Sequence, residues 1–250
     1  MKKQFLSFAI VALLAFAVSG CKKENPEPKP EPQPGPGPDP TEVFEDQIPD
    51  GSFEADWKEY SAEKGKYMDY YSAAFTTLNL LYELPDDPLP GKLTAFRSTD
   101  AQDGQYSMKL TTADLSGMIL VPGAFGTLSR DFVGEFLNTG GITVKKEFKY
   151  KPVALTGYYK YEPVNGDSAV IDMAIYNGTT EIATAVLKEK NAVSEWTPFT
   201  LTLNYTDASA NATHLKLLFI ASGCYDFSKL QECQGQVGST LYIDNLKFVY

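Results

Sequence analysis

The 250 residues predict an all-β protein whose main body is one antiparallel β-sandwich, and three observations carry that expectation. Short alternating or β-branched runs recur from residue 51 to the end, bounded by Gly, Asn and Asp, which punctuate strands and turns. Asn165-Gly166-Asp167 and Asn177-Gly178 fall between such runs and are hairpin signals. The 210 residues from Thr41 to Tyr250 are a length that suits a single sandwich.

Taken in order, strands are expected near 51–57, 92–97, 105–112, 143–150, 153–161, 168–176, 181–189, 196–205, 213–221 and 239–249. In the sixth, Ala169, Ile171, Met173 and Ile175 face one way and Val170, Asp172, Ala174 and Tyr176 the other. Leu201, Leu203 and Tyr205 alternate in the same manner, as do Leu215, Leu217 and Phe219. One apolar face and one mixed face is what a sandwich strand needs. Tyr158 and Tyr159 point to opposite faces, and Tyr159 and Tyr161 share one. Two stretches depart from the pattern. Ser72–Glu83 places Phe75, Leu78 and Tyr82 at helical spacing and reads as a short helix or an irregular insertion, and Ser228-Lys229-Leu230-Gln231 reads as a capping box for one turn.

Ahead of the sandwich lie two segments of different character. Residues 1–20 carry Lys2 and Lys3, an apolar run from Phe5 to Val18 and then Ser19-Gly20, the layout of a secretory signal. That run falls short of a bilayer span. Residues 21–45 form a linker in which proline occupies every second position from 26 to 40, half of the chain's 16 prolines. Proline fixes φ and has no N–H, so this stretch enters neither sheet nor helix. In polyproline II geometry its sixteen residues from Asn25 reach about 50 Å. The domain proper is 46–250.

Val18-Ser19-Gly20-Cys21 resembles the lipobox of bacterial lipoproteins, in which the cysteine is lipidated and becomes the mature N-terminus. The resemblance implies a lipid anchor on Cys21 and an outer-membrane protein on the periplasmic or cell-surface face. Acyl chains contribute about 0.8 kcal/mol per buried CH₂, so a multiply acylated Cys21 anchors stably. Without residues 1–20 the formal charge moves from −10 to −12, which argues against nucleic acid as a partner.

The remaining cysteines, Cys224 and Cys233, are an even pair in an oxidising compartment and read as a disulfide pinning a rim loop. A zinc site and a catalytic thiol are the rival readings. Zinc lacks nearby ligands, because the single histidine, His214, sits in an alternating strand pattern.

Catalytic signals are sparse. A hydrolytic triad would have to use His214, and no phosphate-binding glycine loop follows Gly140-Gly141. Glycoside hydrolysis needs only two suitably spaced carboxylates. Asp86, Asp87, Asp100, Asp103, Asp131 and Glu135 all read as solvated loop acids, and no pair stands out.

Aromatic residues offer a better lead. Trp57, Tyr60, Tyr67, Tyr70 and Tyr71 crowd into fifteen residues read mostly as loop, with Lys58, Asp69 and Asn79 close by. Flat rings suit the C–H faces of sugar rings, so this cluster is the candidate carbohydrate platform, with core packing the competing use of the same side chains. Trp196 reads as packed at the sandwich edge. Asp167-Ser168-Ala169 resembles a short bacterial O-glycosylation pattern and equally reads as a turn entering a strand.

Three runs carry a wider likeness: Pro152-Val153-Ala154-Leu155-Thr156-Gly157-Tyr158-Tyr159-Lys160-Tyr161, Gly166-Asp167-Ser168-Ala169, and Gly238-Ser239-Thr240-Leu241-Tyr242-Ile243-Asp244-Asn245-Leu246. Together they resemble the "putative carbohydrate metabolism domain" family (PCMD) of lipoproteins from gut anaerobes. The likeness implies a jelly-roll-like sandwich similar to carbohydrate-binding modules and a role in glycan capture or metabolism. Gly51-Ser52-Phe53-Glu54 and Asp244-Asn245 also resemble the paired ends of jelly-roll sugar-binding modules in which an early Glu and a late Asp share a structural Ca²⁺. That likeness implies calcium at Glu54 and Asp244, a chemistry that carboxylates and carbonyls can supply. Three functional readings follow: a glycan-binding envelope lipoprotein, a glycoside hydrolase or other glycan-active enzyme, and a structural or interaction lipoprotein serving an outer-membrane uptake complex.

Overall fold

A computed structural model describes residues 47–62, 65–70, 72, 74–79, 92–115, 119–129, 144–223 and 235–250. In chain order they form β1 (Trp57–Ala62), β2 (Gly65–Tyr70), β3 (Thr76–Thr77), β4 (Ala95–Ser98), β5 (Ser107–Thr111), β6 (Ala113–Leu115), β7 (Ile119–Val121) and β8 (Ala124–Gly126). β9 (Lys146–Glu147), β10 (Ala154–Glu162), β11 (Ala169–Asn177), β12 (Thr180–Glu189), β13 (Val193–Thr202), β14 (Asn204–Tyr205), β15 (His214–Ile220) and β16 (Thr240–Val249) follow.

Two antiparallel sheets make an all-β, jelly-roll-like sandwich. The five-stranded sheet has the order β13-β10-β16-β5-β4. The facing sheet runs β14-β12-β11-β15-β8-β3, with β9 also on β15. The chain's last strand, β16, lies in the middle of the first sheet between β10 and β5, so the sheet closes only when the C-terminus arrives.

Alternation decides what lies between the sheets. Leu155, Tyr159, Tyr161, Leu241, Ile243, Met108 and Leu110 point inward from one side, and Ile171, Met173, Ile175, Leu215, Leu217 and Phe219 from the other. The opposite face of the second sheet is covered as well: Val170, Ala174, Leu218 and Ile220 are buried. The mixed pattern expected of β11 therefore hides two buried faces. The hairpin expected at Asn165-Gly166 is instead a tight turn that carries the chain from β10 in one sheet to β11 in the other; Asn165 and Gly166 both take positive φ (48° and 77°), and the Asp167 N–H donates back to the Val164 carbonyl.

The N-terminal part departs most from expectation. Residues 51–56 form no strand; they are a turn wrapped on the Asp50 carboxylate, whose oxygens accept the backbone N–H groups of Glu54, Ala55 and Asp56 at 3.0 Å each. The aromatic stretch after it is no loop but a hairpin, with Trp57 opposite Tyr70 and Tyr60 opposite Tyr67. Trp57, Tyr67 and Tyr70 are buried. Phe125 is the hub of the aromatic packing there, with ring centroids 5.5 Å from Phe53, 5.4 Å from Tyr70 and 4.9 Å from Phe75. Trp57 meets Tyr70 edge-on at 5.5 Å and donates its indole N–H to the Phe53 carbonyl at 2.7 Å.

The hairpin is stapled to β4 through a buried polar chain. Asp69 accepts from the Thr77 hydroxyl (2.8 Å) and the Asn79 amide (3.1 Å). Asn79 in turn accepts the Thr94 and Ala95 N–H groups. Part of the expected helix at 72–83 is therefore β3 followed by this staple, and residues 80–83 lie outside the described residues. The expected strand at 143–150 contracts to β9, and the strand expected at 196–205 begins at Val193 and breaks after Thr202. Cys21, Tyr71, the Cys224–Cys233 pair and the 228–231 turn also lie outside the described residues.

Replacing Trp57 removes a buried ring and a buried hydrogen bond. Trp57→Ala is expected to lower unfolding free energy by about 3–5 kcal/mol, read from the urea midpoint by circular dichroism. A midpoint shift near zero would show that the indole is not part of the core.

Candidate functional site

The outward face of the five-stranded sheet carries a row of side chains running across all five strands. Tyr159, Tyr161, Leu241 and Ile243 point inward, so their neighbours Tyr158, Lys160, Tyr242 and Asp244 point outward. Backbone pairing aligns Lys160 with Tyr242, Tyr242 with Lys109, and Lys109 with Phe96. On the far side, Tyr158 pairs with Pro198, which sets Trp196 outward. The row therefore reads Phe96, Lys109, Tyr242, Lys160, Trp196 from one edge to the other.

These side chains are in contact. The Trp196 and Tyr242 rings meet edge-on with centroids 6.4 Å apart. The Lys160 ammonium lies 5.5 Å from the Trp196 centroid and 5.1 Å from that of Tyr242, and the Lys109 ammonium lies 5.4 Å from Tyr242. Ammonium groups at such distances over a ring are attracted by its quadrupole. Beside the row, the Thr111 and Thr240 hydroxyls are 3.1 Å apart.

The loop from β4 to β5, residues 99–106, folds over this face and walls one side of the row. Its Asp100 carboxylate accepts the Trp196 indole N–H at 3.1 Å and pairs with the Lys160 ammonium. Asp244 anchors the same loop: Oδ2 accepts the Gln102 N–H at 2.8 Å and the Asp103 N–H at 3.3 Å. Asn245 donates its side-chain amide to Gln102 Oε1. From the other side Glu54 Oε1 accepts the N–H groups of Gln105 (2.8 Å) and Tyr106 (2.9 Å). Gly104 is required beneath it, with φ of 70° and a Cβ that would stand 2.4 Å from Glu54 Oε1.

Calcium at Glu54 and Asp244 would have to share oxygens that already accept backbone N–H groups. Ca²⁺ takes six to eight oxygens. Glu54 Oε1 and both Asp244 oxygens already take backbone N–H groups, and no cluster of three His, Cys, Asp or Glu side chains suited to a metal occurs among the described residues. Their work is to hold the loop. The same pair makes no glycosidase dyad: Asp244 is 0% exposed, so its carboxyl does not reach a substrate oxygen.

The aromatic platform expected at 57–71 is corrected on the same ground. Trp57 and Tyr70 belong to the hydrophobic core between the sheets, and Tyr67 is buried against Tyr60, so these rings are taken up by packing. Tyr60 remains half-buried, stacked on Tyr67 with centroids 5.5 Å apart. Ser168, in the O-glycosylation pattern, is 6% exposed and leaves no room for a glycan. Its neighbour Asp167 is a structural acid, accepting from Ser168 N–H, Gly223 N–H, Gln236 N–H and the Ser222 hydroxyl.

Trp196, Tyr242, Lys160, Lys109 and Phe96 are absent from the expected site. The available signal was alternation: Gly157-Tyr158-Tyr159-Lys160-Tyr161 and Leu241-Tyr242-Ile243-Asp244-Asn245 pair with each other, and each sends every second residue out. Which face lies open is a property of the assembled sheets.

No family model matches the chain, and no curated protein matches it. Among solved structures it is similar to a protein of Bacteroides vulgatus described as a "putative glycoside hydrolase", at 21% identity and TM-score 0.62, over 83% of this chain and 98% of that one. A second protein of that description, from Bacteroides thetaiotaomicron, is 17% identical with TM-score 0.61, covering 84% and 72%. At these identities the likeness establishes the fold.

Two buried acids should give opposite pH signatures. Burial raises the Asp244 carboxyl above its ordinary 3.8, against the pull of its N–H donors, and the Glu54 charge adds to the rise. Burial also acts to raise Asp167, but the Ser222 hydroxyl and the backbone donors outweigh it and bring the group below 3.8. A raised acid binds its proton more tightly when folded, so its contribution is lost as pH climbs through the raised value. A lowered acid contributes fully above 3.8 and loses that contribution as pH falls through the lowered value. In urea unfolding from about pH 3 to 7, wild type minus Asp244→Asn should shrink with rising pH, while wild type minus Asp167→Asn should grow. Slopes of the same sign would contradict the assignment.

Proposed function

We propose that this chain is a glycan-binding protein of the cell envelope, which holds oligosaccharide across the outward face of its five-stranded sheet. The observation that carries this reading is the row Phe96–Lys109–Tyr242–Lys160–Trp196, bordered by Asp100. Aromatic rings beside ammonium, carboxylate and hydroxyl groups are what a pyranose, with its apolar C–H faces and its ring of hydroxyls, requires of a partner. The row crosses four interstrand intervals of about 4.8 Å, roughly 19 Å in all, room for about three to four sugar rings of roughly 5 Å each.

Other features agree with this reading. The Tyr158–Lys160 and Tyr242–Asp244 stretches that resemble the PCMD family are the ones that build the face, and membership of that family is part of the proposal. A lipid on Cys21 and the proline-rich linker would hold the domain off an outer membrane, where polymeric glycan is met, alone or beside an uptake complex. Hydrolysis finds less support, because Asp244 and Glu54 hold backbone N–H groups of the loop and Asp100 is taken up by the Trp196 indole and Lys160.

Trp196→Ala is expected to weaken oligosaccharide binding about tenfold, or about 1.4 kcal/mol, by isothermal titration, with the melting temperature nearly unchanged. Affinity should climb with chain length to about four sugars and then level off. Unaltered binding in Trp196→Ala would move the site elsewhere. For the anchor, the mature chain should partition into detergent and carry acyl mass on Cys21; a free thiol there would overturn the envelope assignment.

A further inference from the structure

We infer that the glycan held on this face is acidic, bearing carboxylate or sulfate groups, and that Lys109 recognises the anion. The inference rests on the glycan reading above and adds the chemical class of the ligand. Acids outnumber bases in this chain, 32 against 22, yet the row across the sheet is built around two ammonium groups. Both approach the Tyr242 ring, at 5.4 and 5.1 Å from its centroid, so the two charges lie within about a Debye length of each other.

Their surroundings differ. Lys160 is ion-paired with Asp100. Lys109 has no ion pair among the described residues; its ammonium contacts the Tyr242 ring, and its cross-strand partners are Phe96 and Tyr242. Of the strand acids on this face, Asp244 is held by backbone N–H groups, and Glu162, exposed and paired with Thr240, stands on the side of the row away from Asp100. Lys109 is half-buried, flanked by two aromatic residues and without a carboxylate partner among the described residues, so its ammonium is available to an anion from outside. An anionic sugar substituent meets it with a charge-assisted hydrogen bond, roughly twice as strong as the bond that a neutral hydroxyl offers. The Thr111 and Thr240 hydroxyls next to it are joined to each other, and Thr240 donates to the Gly238 carbonyl, so the charge-assisted donor at this place is Lys109.

The test compares acidic tetrasaccharides with their own neutral forms. Galacturonate, alginate and glucuronate tetramers are paired with carboxyl-reduced versions, and chondroitin and carrageenan tetramers with desulfated versions. Titrations use the whole domain at low and at physiological salt. At least one acidic member should bind about tenfold tighter than its neutral form, with the ratio falling as salt rises. A carboxylate-only or a sulfate-only preference identifies which anion is read. Lys109→Met should bring that ratio close to one, and Lys109→Arg should restore it, with circular dichroism melts reporting the fold of each variant. Equal affinity for acidic and neutral forms, weakened by Trp196→Ala, would overturn this inference and leave the glycan reading standing. A ratio that survives Lys109→Met would overturn the assignment to Lys109. Binding of neither set would overturn both.

Discussion

Four acids of this protein, from buried Asp244 to exposed Glu54, accept backbone N–H groups from irregular stretches of chain. Asp50 gathers the turn at 54–56, Glu54 takes the N–H groups of 105 and 106, Asp244 takes those of 102, 103 and 245, and Asp167 joins 168, 223 and 236. Each bond is charge-assisted, and each acid holds a different piece of irregular chain against the sheets. Much of the sandwich's rim depends on this one device. Among the described residues, the acids that it brings together are engaged with these donors.

The candidate site is a consequence of that arrangement. Without Asp244 and Glu54 the 99–106 loop would have no reason to lie across β16, and Asp100 would not reach the Trp196 indole and Lys160. The wall is thus set by acids, while the floor is set by strand alternation. The floor's side chains cover one another, with Tyr242 only 8% exposed beneath the two lysine stems.

The second constraint is the core. Phe125 gathers Phe53, Tyr70 and Phe75 from three separate segments, and Trp57 completes the cluster from β1. These rings include the ones whose crowding in the sequence suggested a binding platform. Aromatic side chains serve cores and sugar sites with the same surface, and density along the chain does not separate the two uses. Surroundings separate them: Trp57 and Tyr70 pack into the core between the sheets, whereas Tyr242 lies on the outward face under the lysine stems beside half-buried Trp196, and that distinction belongs to the assembled sheets.

From the residues alone came the all-β class, the Asn177-Gly178 hairpin, the alternating faces of β11 and β15, and the opposition of Tyr158 to Tyr159. All of these follow from a two-residue period and from turn chemistry, which act over a few neighbouring positions. The tertiary structure alone decided that 57–70 is a hairpin in the core, that Glu54 and Asp244 hold a loop, and that five side chains from five strands share one open face. Those residues span positions 96 to 196 and 242, and no local rule connects them. They meet because β16 inserts between β10 and β5, a pairing over most of the chain's length that only the whole hydrophobic core can enforce.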